Sequence, residues 1–313
     1  MPVPSLASKL DRLFAAAPVL PFDDNSRIVI MSDCHRGQGS VADNFLPNST
    51  LFQGALEYYD RNGFTYIELG DGDELWENRC MHTIVQTHER IFRLLDRLYR
   101  QGRLYMLCGN HDIVKMRPGF PGRDCPSASA SPDGSPAMGC PPVSAVPDDA
   151  SAFLRSLPVT QGLILEHTRS GIRLYLTHGH QASLINDELW RLGRFLVRHV
   201  WRPLEIIGLK APAAPARPVR LAEQTEKALC AYAGSRNRLL VAGHTHRPAF
   251  PAPGSCPYFN DGCCIQPQTI TALEIRGNTI SLIRWYTAVS PSGALHLARE
   301  ALGGPRNLEE YFR

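Results

Sequence analysis

Five short clusters hold the residue types that bind cations and move protons: Asp33-Cys-His35, Gly70-Asp71-Gly-Asp-Glu74, Gly109-Asn-His111-Asp112, His178-Gly-His180 and Gly243-His-Thr-His246. Six of the eleven histidines lie in them. A mixed set of imidazole and carboxylate groups suits manganese, iron or zinc, because calcium takes oxygen ligands alone. Asp33, His35, Asp71, Asn110, His111, His178, His180, His244 and His246 are too many ligands for one tetrahedral ion. Two divalent ions sharing one carboxylate would use them naturally and leave positions for water and substrate. In Gly243-His-Thr-His246 the imidazoles at i and i+2 would fall on the same side of an extended chain. Singly, Asp-x-His and Gly-Asp are weak signals, Gly-Asn-His-Asp is moderately specific and Gly-His-x-His is stronger. Five such clusters in order, each behind an apolar strand, make coincidence untenable.

The elements that must position them follow one pattern. Arg27–Ser32, Phe64–Leu69, Arg103–Cys108, Gly171–Thr177 and Arg238–Ala242 are compact apolar runs, each ending abruptly at one of the polar clusters. They read as buried strands that deliver polar residues at their C-terminal tips. Helical spacing fills the intervals Ser5–Ala16, Ser49–Arg61 and Met81–Arg100. Alternation of strand and helix predicts a mostly parallel sheet, with the ligand site beyond the strands' carboxyl ends. Towards the end of the chain, Tyr258–Gly262, Thr269–Arg276 and Thr279–Thr287 read as consecutive strands, with a hairpin turn at Arg276-Gly-Asn-Thr279. They predict an antiparallel or mixed second sheet.

Two segments interrupt this pattern within a single domain spanning 1–313. Residues 117–149 are crowded with Pro, Gly, Ser and Ala and predict a flexible loop. Residues 181–234 carry Leu184, Leu189, Trp190, Phe195 and Trp201 at helical spacing, a Pro-Ala stretch at 211–218, and a further helix from about Val219 to Ala233. This insertion between two polar tips predicts a helical cap over the site.

Composition removes several function classes. A hydrophobic fraction of 43% with 20% charged residues is that of a globular chain, which excludes global disorder, collagen and coiled coil. A net charge of +3 excludes a strongly basic nucleic-acid scaffold, and nucleic acid is not an expected partner. No run reaches the ~18–20 apolar residues of a membrane span. Lys9, Asp11 and Arg12 interrupt the first apolar stretch, so a secretion signal is not expected and a soluble, cytoplasmic protein is. Nine cysteines without C-x-x-C spacing argue against a zinc ribbon or a disulfide framework and predict reduced thiols.

The ordered set of five clusters resembles the calcineurin-like metallophosphoesterase superfamily, over about Ile28 to Thr287. The resemblance implies a four-layer α/β/β/α sandwich with a dinuclear metal centre at one edge. It implies that Asp33, His35, Asp71 and His246 hold a first ion and Asp71, Asn110, His178 and His244 a second, with Asp71 as the bridge. His111 matches the family's catalytic histidine, which protonates the leaving oxygen or stabilises charge on the phosphoryl group. Glu74 matches the carboxylate that supports this histidine and fixes its tautomer, and Asp112 competes for that role. His180 is expected around the metals or on the substrate.

Phosphoprotein phosphatases of eukaryotic type follow the second cluster with a phosphate-gripping arginine, where this chain has Leu75-Trp76. Arg36, next to His35, is a candidate phosphate clamp in its place. The Glu74-Leu-Trp76 run and the insertion are similar to the UDP-2,3-diacylglucosamine pyrophosphatases, although those have an arginine where His111 stands. Three functions follow. The leading one is a metal-dependent phosphatase or phosphodiesterase acting on a phosphorylated small molecule or phosphoprotein. The second is a pyrophosphatase acting on a lipid-linked nucleotide. The third is a non-catalytic metal-binding scaffold.

Overall fold

The computed structural model describes residues 5–78, 80–120, 152–183 and 219–312. The first expected strand is β2 (Arg27–Met31), whose residues alternate in destination. Val29 and Met31 pack under helices, whereas Ile28 and Ile30 face a second sheet. Complete burial on both faces explains why this strand reads as an unbroken apolar run rather than an alternating one. To one side of β2 lie β3 (Thr65–Leu69), β4 (Leu104–Leu107) and β5 (Val159–Thr160), all parallel. To the other lie β10 (Thr269–Arg276), β11 (Thr279–Val289) and β12 (Leu295–Asn307), all antiparallel. The seven-stranded sheet has the order β12-β11-β10-β2-β3-β4-β5.

A five-stranded sheet faces it, with the order β1-β6-β7-β8-β9. Its strands are β1 (Val19–Phe22), β6 (Gly162–His167), β7 (Arg173–Thr177), β8 (Leu239–Ala242) and β9 (Tyr258–Asn260). Leu163, Leu165, Leu174, Leu176, Leu239, Val241 and Phe259 meet Ile28, Ile30, Ile67, Leu69 and Leu107 between the sheets. Helices α2 (Ser49–Arg61), α3 (Met81–Thr87) and α4 (Glu89–Arg100) cover the outer face of the first sheet through Phe52, Leu56, Ile84, Phe92 and Leu95. Helices α1 (Leu6–Ala16) and α5 (Val219–Arg236) cover the second through Leu10, Phe14, Leu229 and Tyr232. The layers are therefore α/β/β/α, as the resemblance implied.

Several expectations change in detail. The strands from Thr269 onward do not build a second sheet. They extend the first one, and only Tyr258–Asn260 joins the second. The Arg276–Thr279 hairpin forms in the expected register. The helix expected over Met81–Arg100 is two helices broken at His88, whose buried ring lies 3.2 Å from the Asp43 carboxylate. Of the expected 117–149 loop, residues 121–149 lie outside the described residues, as do 184–218 of the expected cap with Trp190, Phe195 and Trp201. The last part of that insertion, 219–234, is nearly all of α5, which packs in the outer layer on the second sheet. Not every cysteine is reduced: Cys230 and Cys256 form a disulfide. Among the described residues, no helix is long and apolar enough to cross a membrane.

Candidate metal centre

Strands β2, β3 and β4 run side by side in one sheet, and β7 and β8 in the other, all parallel within their pairs. Their C-terminal tips therefore open on one edge of the sandwich. Five candidate ligands there adopt a backbone conformation that most residues avoid. Asp33, His35, Asp71, His244 and His246 have φ of 52°, 48°, 49°, 68° and 58°. Among the described residues, only Asn237 and Gln268 share this feature outside glycine. Left-handed backbone at non-glycine residues costs about 1–3 kcal/mol each and gathers where function requires it. The turns also correct the expectation for His244 and His246. The strand ends at Ala242, so the two rings converge through a left-handed turn and not along an extended chain.

Two carboxylates organise the centre in the same way. Asp33 Oδ2 accepts hydrogen bonds from Ser32 Oγ at 2.5 Å and from the His244 amide at 2.7 Å. Its Oδ1 faces His246 Nε2 at 2.9 Å, with His35 Nε2 at 3.7 Å and His178 Nε2 at 3.9 Å. Asp71 Oδ1 accepts from the His111 amide at 2.8 Å. Its Oδ2 faces His178 Nε2 at 3.1 Å and His35 Nε2 at 3.9 Å. Each carboxylate thus spends one oxygen on the backbone of another cluster and turns the other inward. Asp71 reaches both histidine groups, as a bridging carboxylate must. Asp33, His35 and His246 form one compact set, and Asp71, His178 and His244 another.

The remaining groups fit the same centre. His178 Nδ1 donates to the Leu69 carbonyl at 2.9 Å, which fixes the tautomer and leaves Nε2 for a cation. Asn110 is fully buried, and neither its Oδ1 nor its Nδ2 has a hydrogen-bond partner. His35 Nε2 is also buried without one. Such orphaned polar atoms are costly unless something binds them. Burial penalises the charge on Asp33 and Asp71, yet the facing histidines hold both well below the usual carboxylate range. Burial disfavours the charged ring of His178, but Asp71 and Asp33 push it up to about 9. This is a cluster built for positive charge, and divalent cations would compete with protons for it. Donor set and orphaned atoms together fit metal ions.

His180 is buried behind this set, with its ring 5.6 Å from that of His178 and 6.3 Å from that of His244. His111 sits at the rim. Its Nδ1 lies 2.7 and 2.9 Å from the two oxygens of Glu74. Glu74 Oε2 also lies 3.0 Å from His35 Nδ1, so one carboxylate orients both rings. Burial opposes the Glu74 charge, and His111 and His35 overcome it, holding the group below the usual carboxylate range.

Two expected residues have other positions. Arg36 does not reach the site. It is fully buried, with two hydrogen bonds to Glu68 at 2.8 and 2.9 Å and one to Asp73 at 2.7 Å, so its donors are spent away from any phosphate. Asp112 does not support His111. Its oxygens accept from the amides of Gly109, Gly72 and Asp71 at 2.7, 3.1 and 3.3 Å, pinning the loops that carry the ligands.

Other contributors escape motif reading. Trp76 stacks on the His111 ring, with centroids 4.2 Å apart, and its Nε1 donates to the Asn110 carbonyl at 2.5 Å. Asn260 Nδ2 donates to the Gly243 carbonyl at 2.8 Å beneath the His244 turn. Asp261 Oδ1 lies 2.9 Å from Ser32 Oγ, and burial beside Asp33 pushes its carboxyl well above the usual range. Single polar residues in apolar strands give no local signal of such long-range roles. Glycine is needed where chains touch: a Cβ on Gly109 would lie 2.1 Å from Asp71 Oδ1, and one on Gly243 would lie 2.2 Å from Ser32 Oγ.

A family model described as calcineurin-like phosphoesterase matches residues 26–248. Among solved structures, the crystal structure of Chaetomium thermophilum Vps29 aligns with 88% of this chain and 96% of its own, at 12% identity and a TM-score of 0.36. Chaetomium thermophilum Vps29 complexed with the RaPID-derived cyclic peptide RT-D3 aligns with 88% and 95%, at 10% identity and a TM-score of 0.35. No curated protein sequence matches the chain.

Proposed function

Because the chain belongs to the calcineurin-like phosphoesterases, we propose that it is a metal-dependent hydrolase of phosphoesters. One observation carries this reading: the convergence of Asp33, His35, Asp71, His178, His244 and His246 at a single edge, with His111 poised on Glu74 beside them. In this proposal Asp33, His35, Asp71 and His246 hold one divalent cation, and Asp71, Asn110, His178 and His244 a second. Bound manganese, iron or zinc would acidify a water to serve as nucleophile at neutral pH and offset the charge of the phosphoryl oxygens.

The protein's own groups do the rest. Glu74 takes the Nδ1 proton of His111 in a hydrogen bond and so directs Nε2 outward. A proton on Nε2 passes to the leaving oxygen as the phosphorus–oxygen bond breaks, which spares the product an alkoxide. Trp76 restrains the ring in the plane this transfer requires, since it packs on one face and is itself anchored to the Asn110 carbonyl. Water attacks directly, so no nucleophilic Ser or Cys takes part. The pairing of His111 with Glu74 weighs against a scaffold that only binds metal, for which an oriented proton donor has no use.

Substrates are phosphorylated small molecules, lipid-linked nucleotides or phosphoproteins in this reading. Protein loaded with Mn, Zn, Fe or Mg and assayed on p-nitrophenyl phosphate and its bis-ester is expected to turn over at least one of them. The ratio of the two rates separates monoesterase from diesterase. Failure on both esters with all four ions, in protein that binds those ions, would sink the hydrolase reading.

A further inference from the structure

Glu68, Asp73 and Asp112 bring their carboxylates together, fully buried, within the spacing that a metal ion would bridge. No further cation is needed there, because the protein supplies its own. Lys115, on the 3-10 turn Ile113–Met116, places Nζ 2.6 Å from Asp73 Oδ2, 2.8 Å from Asp112 Oδ2 and 3.7 Å from Glu68 Oε1. Arg36 closes the cluster from the other side through Glu68 and Asp73, with Phe92 against its guanidinium at 5.2 Å. Two cations thus face three carboxylates. A buried network of this kind persists only when every member is paired, since a lone buried charge is strongly unfavourable.

The network lies directly under the ligand loops. Asp112 gathers the amides of Gly109, Asp71 and Gly72, the residues that carry or flank two ligand clusters. Asp73 belongs to the same loop as Asp71, and the amide of its neighbour Glu74 donates to the Arg36 carbonyl. We propose that Lys115 is a positioning residue of the metal centre: its ammonium locks Asp112 and Asp73 in the places from which they set the Asp71 and Asn110 loops. This inference rests on the metal-dependent reading above. Partners that orient metal ligands without touching the ion typically contribute 10–100-fold to affinity.

The sign of the effect separates positioning from charge. Deleting a nearby positive charge would by itself strengthen cation binding. A loss of affinity in Lys115→Met therefore reports position. Metal-stripped wild type, Lys115→Met and Asp112→Asn would be titrated with Mn2+ by calorimetry. Glu274→Gln serves as a control, because it breaks a buried network with Tyr59 and Arg299, none of whose members belongs to the metal centre. The expected result is a loss of about 10–100-fold in Mn2+ affinity for Lys115→Met and for Asp112→Asn, with Glu274→Gln near wild type. If Lys115→Met does not fold, Lys115→Gln, which also removes the positive charge, carries the test in its place. Unchanged or tighter binding in these variants overturns the inference while leaving the metal-dependent reading intact. An equal loss in Glu274→Gln overturns it as well, since general destabilisation would then suffice. A wild type that binds no Mn2+ overturns both.

Discussion

Replacing Asp71 with Asn is expected to strip bound divalent ions from the protein and to lower phosphoester turnover by about 10^3-fold or more. Asp71 Oδ2 faces a histidine of each group, at 3.1 Å from His178 Nε2 and 3.9 Å from His35 Nε2. An asparagine there keeps the shape and can still accept the His111 amide through its oxygen, a bond now 2.8 Å long. Its NH2 group must then point at the cation positions, where a donor is repelled and a negative charge is missing. Cations that offset phosphoryl charge contribute several kcal/mol to a transition state, and about 4 kcal/mol corresponds to ~10^3-fold in rate. Metal content by elemental analysis, together with p-nitrophenyl phosphate turnover, checks both halves. A variant with full metal content would remove Asp71 from the bridging role.

The second large effect is expected from His111→Gln, with the opposite signature. Glutamine is close in size and keeps a polar end near Glu74, but it has no titratable proton to give. Turnover should fall by roughly 10^2–10^4-fold, the usual contribution of a positioned general acid. Metal content should stay at the wild-type level, because His111 is assigned no ligand role. If turnover persists with metal content unchanged, the proton donor lies elsewhere. If the ions are lost too, His111 belongs among the ligands, a role for which its ring is close enough to His35 and Asp71. The two variants together separate holding the ions from moving the proton.

The candidate site was largely legible because its grammar is local. An apolar strand that stops at a polar tip can be recognised one segment at a time, and parallel order then sends every tip to the same edge. The left-handed turns at Asp33, His35, Asp71, His244 and His246 were not legible, since φ depends on what the surrounding loops enforce. Arg36 shows where local reading fails. Next to His35 it looked like a residue of the open site, but its amide pairs with the Gly72 carbonyl and the side chain turns beneath the loop. Glu68, inside a run that reads as an apolar strand, partners Arg36 in the interior. In both cases the partner lies more than thirty residues away, beyond any window on the sequence.

The sheets teach the same lesson on a larger scale. Each strand after Thr269 was visible as a strand, and the hairpin at Arg276–Thr279 announced its own register. Which sheet they join depends on β10 pairing antiparallel with β2, a contact between the two ends of the chain. Periodicity gives no information on such pairings, because β10 could present the same buried faces to either sheet. The break at His88 is intermediate. The helical spacing runs through it, and only the distant Asp43 marks the point where two helices meet.

In the proposed mechanism, divalent ions held by these clusters make the protein a phosphoester hydrolase. The most direct test is turnover of p-nitrophenyl phosphate and its bis-ester before chelation, after chelation, and after Mn2+ is restored, with metal content measured on the same samples. Activity is expected to disappear with the ions and to return with them. Turnover that survives complete removal of metal would contradict that mechanism.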